Sequence, residues 1–183
     1  MSTRSFVETV NESTGQFRGR YVHSDGYPTW MGPTYTNLLA RFDGGLELML
    51  AVLTEDNYGW SSINGRDEQE LSLGYTDGRF RAVPGIGVAY TTEQDQSSPD
   101  EWVSGTLNAS IAQSWGTEWG YLFTTTDPAT AVLVVVTMDW VNDTDFVRVV
   151  VRIPVRDLHL LTPAAWQAVE SGDLATNPAD FRP

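Results

Sequence analysis

The hydrophobic pattern of the first 54 residues predicts two strands followed by two helices. Residues 3–10 and 16–23 alternate apolar and polar side chains and are joined by a turn-forming polar segment. Apolar residues then recur at helical spacing over 33–42, where Pro33 suits the first position of a helix. After a break at Asp43 and two glycines, the same spacing over 46–53 predicts a second helix.

The rest of the chain predicts mainly strands. Residues 131–138 carry apolar side chains on both alternating sets of positions, as in a strand buried on both faces. With residues 146–153 they predict a hairpin at the centre of the sheet, with Arg148 and Arg152 on one face of the second strand. A short helix is predicted between Thr162 as its N-cap and Gly172 at its end. Four further strands are predicted at 70–75, 80–83, 87–92 and 119–125.

These elements predict an α+β fold, with a mainly antiparallel sheet, the helical pair of residues 33–54 packed on one face, and a short C-terminal helix. Residues 1–172 are predicted to form a single domain and residues 173–183 a loose tail. Residues 93–100 contain no apolar side chain and are expected to form a mobile loop.

The amino-acid composition excludes several kinds of catalytic and metal-binding site. The chain has no cysteine, which excludes disulfides, thiolate zinc sites and cysteine catalysis. All 11 basic residues are arginine, which excludes a lysine Schiff base. No stretch is apolar enough to predict a membrane span, and the N-terminal residues lack the apolar core of a signal peptide. We therefore expect a cytoplasmic protein without membrane contact.

The net charge of −13 affects the choice of partner. A nucleic-acid backbone would be repelled, so direct nucleic-acid binding is not expected. One interpretation of the acidic residues is a solvated surface that keeps the protein in solution. The other is a face that attracts a basic partner.

The main candidate for chemistry is the segment 21–32, where His23 and Asp25 precede Gly26, Tyr27 and Pro28. In an extended strand the side chains of His23 and Asp25 share a face, which fits a general base oriented by a carboxylate. No third group completes a catalytic set or a metal site, so no metal is predicted. The alternative is a structural corner in which Asp25 caps the turn and His23 forms a local hydrogen bond.

Aromatic residues supply candidate binding positions. The turn at Pro28 is expected to present Tyr27, Trp30 and Met31 beside His23 and Asp25, because glycine permits positive φ at Gly26 and Gly32. Tyr58 and Trp60 flank a glycine in a polar segment and could form exposed anchors, since tryptophan and tyrosine dominate interface hot spots. No phosphate-binding or dinucleotide motif occurs, and no cofactor is predicted.

The segment HSDGYPTWMG has the pattern H-x-D-G-Y-P-x-x-x-G and resembles the opening of a family of small uncharacterised proteins. Bacteriophages, prophages and related mobile elements encode most of that family. Weaker similarities follow in LTEDNYGWSSI, GVAYTTEQDQ and TEWGYLF, so the resemblance covers about residues 3–125. It implies a phage setting and a common fold, but no activity.

Two classes of function follow from these observations. The first is a non-enzymatic accessory protein of a phage that binds a host or phage protein, for host takeover or against host defence. A component of the virion is a variant of this hypothesis. The second is a small enzyme or ligand-binding domain with its site around His23 and Asp25. The missing catalytic set favours the first class.

Overall fold

The computed structural model describes residues 3–54, 58–65, 80–91, 102–111, 114–141 and 144–173. The helices are α1 (Pro28–Arg41), α2 (Leu46–Thr54) and α3 (Pro163–Ser171), with a 3-10 helix at Val155–Leu160. The strands are β1 (Ser5–Thr9), β2 (Gln16–Ser24), β3 (Trp60–Ile63), β4 (Phe80–Val83), β5 (Gly87–Tyr90), β6 (Trp102–Thr106), β7 (Ser110–Ile111), β8 (Trp119–Phe123), β9 (Val132–Val141) and β10 (Thr144–Pro154).

Within the described residues the strands form one ten-stranded sheet in the order β4-β5-β3-β2-β1-β8-β9-β10-β7, with β6 paired to β2. Most neighbours are antiparallel, whereas β1–β8 and β2–β3 are parallel. The predicted α+β class with a mainly antiparallel sheet is confirmed. The predicted centre of the sheet is wrong, because β1 and β8 lie in the middle of the order and the β9–β10 hairpin lies towards one end.

The β9–β10 hairpin itself is confirmed, and residues 133–136 of β9 are buried in succession, as a strand covered on both faces would be. The predicted parity of β10 is wrong. Val149 pairs with Val136 and Val151 pairs with the next residue, Val135, so Val150 is an extra residue in a β-bulge. The bulge reverses the alternation of side chains, and Arg148 and Arg152 therefore lie on opposite faces.

Helix α1 begins five residues earlier than the sequence predicts. Pro28 occupies its first turn with Tyr27 as the N-cap, and Pro33 lies inside the helix. Proline fits the first turn because that position needs no intrahelical N–H bond, and here Pro28 rather than Pro33 fills it. Helix α2 is confirmed, and in α3 the Thr162 side chain accepts a hydrogen bond from Ala165 N while Gly172 ends the helix with φ 73°.

Two hydrophobic clusters form the core. The first joins side chains of α1, α2 and α3 to alternate positions of the sheet, such as Val7 and Tyr121. The second contains Phe6, Phe17 and Val147. The connection between β6 and β7 spans this second cluster, since Leu107 N donates to Gly15 O at 3.0 Å and Asn108 N donates to Val147 O at 2.8 Å.

Several predictions meet the structure only in part. Strands β4, β5 and β8 lie where the sequence predicts strands, whereas β3, β6 and β7 are not predicted. The predicted strand at 70–75, the loop at 93–100 and the tail beyond Asp173 lie outside the described residues. None of the described helices is long and apolar enough to cross a membrane.

Candidate functional site

The segment 23–28 forms a tight corner between β2 and α1. Asp25 has φ 59°, so positive φ falls on Asp25 and not on the predicted Gly26 and Gly32. Gly26 is needed for a close approach instead: a Cβ atom there would lie 2.7 Å from Ser5 Cβ and 2.9 Å from Arg4 C. Gly26 N donates to Thr3 O at 2.9 Å and fixes the corner against the start of the chain.

His23 is half-buried near the end of β2, close to the Tyr21 hydroxyl and to Arg4. Its Nδ1 and the Tyr21 hydroxyl lie 3.0 Å apart in a hydrogen bond, as the structural-corner interpretation expects. Burial, and then the positive charge of Arg4, lower the pKa of His23 below 6.5. The ring is therefore neutral at pH 7 and serves as a hydrogen-bonding group rather than a cation.

The structure does not support a shared face for His23 and Asp25. The argument for a shared face requires extended backbone, which ends at Asp25 because its φ is positive. The expected cap by Asp25 is also replaced, since Gly26 N donates to Thr3 O at 2.9 Å and the first N–H group of α1, Thr29 N, donates to the Glu170 carboxylate at 3.2 Å. Among the described residues no cluster of three acidic or histidine side chains forms a metal site.

A buried group of hydroxyls lies beneath the corner. The Tyr121 hydroxyl donates to Gly26 O at 2.8 Å, and the rings of Tyr121 and Tyr35 lie 5.3 Å apart. Burial raises the pKa of both tyrosines well above 10, so both hydroxyls stay protonated. Within the described part of the chain, Tyr35 OH and Ser5 Oγ are buried without a hydrogen-bond partner. Such groups are costly, so a water or ligand that hydrogen-bonded to them would stabilise the site.

Helix α3 holds the corner from the other side. The Glu170 carboxylate accepts hydrogen bonds from Thr29 N at 3.2 Å and from Thr29 Oγ1 at 2.7 Å. A carboxylate at this position suits the N-terminus of α1, where backbone N–H groups lack partners and the helix dipole is positive. The corner is thereby hydrogen-bonded both to Thr3, which precedes β1, and to Glu170 of α3.

The predicted binding residues differ in their access to solvent. Met31 and Trp60 are wholly buried, and Trp60 Nε1 donates to Leu53 O at 2.8 Å, so neither side chain is available to a partner. Tyr27 and Trp30 are half-buried, and Trp30 Nε1 donates to Ile63 O at 3.3 Å. Tyr58 is 42% exposed and is the one of the five that presents a large surface to solvent.

Trp140, which the sequence pattern does not distinguish from the other tryptophans, is 69% exposed near the end of β9. It pairs across the hairpin with Asp145, and its chain neighbour Asp139 forms an ion pair with Arg148. The available signal was its place among polar residues, between a buried apolar run and a turn rich in Asp and Asn. Leu48, on α2, is the other strongly exposed apolar residue of the described chain, at 63%.

Trp102 has a different environment, in a groove of about 780 Å³ along β2 and β6. The guanidinium carbons of Arg18 and Arg20 lie 4.3 and 3.7 Å from the centre of a Trp102 ring. These cation–π contacts occupy the indole, and Arg20 Nε also donates to Thr54 O at 2.9 Å. Trp102 therefore contributes to packing between β2, β6 and the end of α2.

Comparison with known proteins identifies no relative of this chain. No protein-family model, curated protein or solved structure matches the chain. The candidate sites therefore depend on their own geometry.

Proposed function

We propose that the chain is a non-enzymatic binding protein, a phage-encoded accessory factor that occupies a host or phage protein in the cytoplasm. Host takeover or inhibition of host defence would be its role. The resemblance at His23–Gly32 supports the phage setting. The exposure of Trp140 is the observation that carries the binding role.

An exposed tryptophan side chain gains binding free energy when its large apolar surface moves from water into a pocket of a partner. Tryptophan buries about 150–250 Å² in an interface and is enriched among the residues that dominate binding energy. Trp140 belongs to the β9–β10 ladder, which pairs it with Asp145 and holds its backbone. A preorganised anchor loses less conformational entropy when it enters a pocket.

The surroundings of Trp140 favour a basic partner. Asp145 lies directly across the hairpin, and the whole chain carries 24 acidic residues against 11 arginines. A partner with an apolar slot for the indole and arginine or lysine on its rim would complement this surface. The same charge disfavours nucleic acid as the direct ligand.

We also infer that the helical pair α1 and α2 covers one face of the sheet, because side chains of both helices share a buried cluster with Val7 and Tyr121. Trp140 follows the alternation of Val136 and Met138, which belong to or pack on the second cluster. The proposed binding surface would then lie on the face that the helical pair does not cover.

A second candidate function is a small enzyme or ligand-binding domain at the corner. The observations that favour it are the neutral ring of His23 beside Arg4 and the buried hydroxyls of Ser5 and Tyr35 beneath. A ligand with hydrogen-bonding groups could satisfy those hydroxyls. We rank it second because the positive φ of Asp25 ends the extended backbone, so His23 and Asp25 do not form the expected pair of a base and its orienting carboxylate.

Capture experiments with matched variants test the two candidates. Full-length protein and the variants Trp140→Ala, Leu48→Ala and His23→Ala would be immobilised and exposed to a lysate of the host. We expect Trp140→Ala to lose a stoichiometric partner that Leu48→Ala, equally apolar and exposed, retains. Capture that is unchanged in Trp140→Ala would contradict the proposal.

A folded His23→Ala that alone loses its effect on the host would favour the second candidate, a site at the corner. Mass spectrometry of purified particles would identify a virion component.

A further inference from the structure

A second concave site lies between the C-terminal half of α1, the turn before β9 and the 3-10 helix Val155–Leu160. Its volume of about 570 Å³ falls within the range of small-molecule sites, which is about 300–1,000 Å³. Most of its lining is apolar. Its lining includes Leu39, Asp43, Ala129, Val155, Arg156 and His159.

Hydrogen bonds fix the walls of this groove to one another. Val155 N donates to Ala131 O at 2.9 Å, which joins the 3-10 helix to the turn. Ala131 N donates to Asp127 O at 2.8 Å and closes the turn itself. On the other side, Thr36 Oγ1 of α1 lies 3.5 Å from Leu158 O. The groove is therefore largely formed without a ligand, as small-molecule sites usually are.

The 3-10 helix separates an apolar floor from a basic rim. Residues three apart in a 3-10 helix lie one above the other. Val155 and Leu158 form one such pair and are buried, whereas Arg156 and His159 form the next pair and are exposed. The floor is therefore apolar, and both groups of the rim on this wall donate hydrogen bonds.

The opposite wall has the other polarity. Asp43 follows the end of α1, where the helix dipole is negative. An anionic group in the groove would therefore be repelled from the α1 side and attracted to Arg156. Although the chain has a net charge of −13, the Arg156 guanidinium on the 3-10 helix offers an anion N–H donors in a fork geometry.

We propose that this groove binds a small amphipathic carboxylate. Its apolar body covers Leu39, Val155 and Leu158, and its carboxylate binds the Arg156 guanidinium, with His159 beside it. This site does not involve Trp140, and the inference does not depend on the proposed binding of a protein.

Calorimetric titration of the full-length protein tests the ligand class. The probes are decanoate, 1-decanol and decylamine, each below the concentration at which it aggregates. They share an apolar chain and differ in the head group. We expect decanoate to bind most tightly. No binding of decanoate, equal binding of 1-decanol, or tighter binding of decylamine through Asp43 would each overturn the proposal.

Variants test the location. Ala40→Trp and Ala129→Trp fill the groove from two exposed rim positions, and either one should abolish decanoate binding. Arg156→Gln should weaken it by roughly tenfold or more, since a charged hydrogen-bonding partner is lost. Arg152→Gln, an exposed arginine outside the groove, should leave the affinity unchanged. An affinity that survives both tryptophan variants, or that falls equally in Arg152→Gln, would place the ligand elsewhere and overturn the proposal.

Discussion

Gly26 provides space where the corner crosses β1. An added Cβ would approach Ser5 Cβ within 2.7 Å and the Arg4 carbonyl carbon within 2.9 Å. The second of these atoms belongs to the backbone and cannot rotate away. His23, three residues earlier, is half-buried and bonded to the Tyr21 hydroxyl. Substitutions at the two positions therefore disturb different things: the path of the chain at Gly26, and one side-chain contact at His23.

We predict that Gly26→Val destabilises the protein more than His23→Ala. Overpacking costs about 1–3 kcal/mol or more, and here it shifts backbone. Loss of one ordinary hydrogen bond costs about 0.5–1.5 kcal/mol. Thermal melts of both variants provide the comparison. If His23→Ala were the more damaging, His23 would belong to an essential buried network.

The lowered pKa of His23 predicts a pH dependence of stability. Burial and Arg4 disfavour the charged ring in the folded protein, whereas the unfolded chain protonates near pH 6.5. The unfolded state therefore binds more protons, and stability falls as pH falls from 6.5 towards the pKa of the folded state. We expect the melting temperature of the wild type to fall more between pH 7.5 and pH 5.5 than that of His23→Gln.

The control for this pH series is His159→Gln, which removes the same ring from the exposed rim of the 3-10 helix. It should follow the wild type. Parallel curves for wild type and His23→Gln would show that the corner does not sense protonation of His23, and they would remove one argument for a site there.

Access to solvent at single residues was the least predictable property. Trp60 and Trp140 both lie beside polar residues in the sequence, yet Trp60 is wholly buried and Trp140 is 69% exposed. Trp60 pairs with β2 and β5 and donates to Leu53 O, so its burial depends on strand partners distant in the chain. Sequence spacing contains no information about those partners.

At the scale of elements, α1 and α3 meet at Gly32. A Cβ there would overlap the Trp166 ring, which is itself buried. Helix propensity alone favours alanine over glycine by about 1 kcal/mol. Crowding against a fixed aromatic ring costs about 1–3 kcal/mol or more, so it outweighs that gain.

We therefore predict that Gly32→Ala lowers the free energy of unfolding despite its better helix propensity. Urea denaturation would measure the loss. The double variant Gly32→Ala with Trp166→Phe should lose less than the sum of the two single variants, because the smaller ring makes room for the methyl group. A stabilised Gly32→Ala would mean that the two helices separate easily and that propensity prevails.

Elements with a strong local pattern could be predicted, and those defined by distant partners could not. The β9–β10 hairpin and α3 follow from a continuous apolar run and from cap residues close in sequence. Strand β3 lies in a polar segment and β7 has only two residues, so neither shows a strand pattern, and both pair with edges that β2, β5 and β10 offer. The bulge at Val150 is equally invisible, since an extra valine in a valine-rich strand leaves the pattern apolar.

At the scale of the molecule, sheet order depends on pairings that cross most of the chain. Strand β1 is flanked by β2, its neighbour in sequence, and by β8, more than 100 residues away, in parallel. This parallel pairing moves the centre of the sheet from the hairpin to β1 and β8. The same pairing positions Tyr121 of β8 beneath the corner, where its hydroxyl donates to Gly26 O.

The net charge of the whole molecule leads to a prediction about salt. A chain of net charge −13 repels itself when compact, and this repulsion extends about 30 Å at 0.01 M salt but only about 8 Å at 0.15 M. Salt also weakens favourable ion pairs such as Arg148–Asp139, but that pair is exposed, and such pairs contribute about 0–1 kcal/mol.

Relief of self-repulsion should therefore be the larger effect. We expect sodium chloride, raised over this range at pH 7.5, to increase the melting temperature. The control is the same series near pH 4.3, the isoelectric point, where the net charge vanishes and the increase should vanish with it. A melting temperature that falls with salt at pH 7.5 would mean that paired charges outweigh the excess of acid. An increase of equal size at both pH values would show a general effect of salt on apolar burial and not a relief of repulsion.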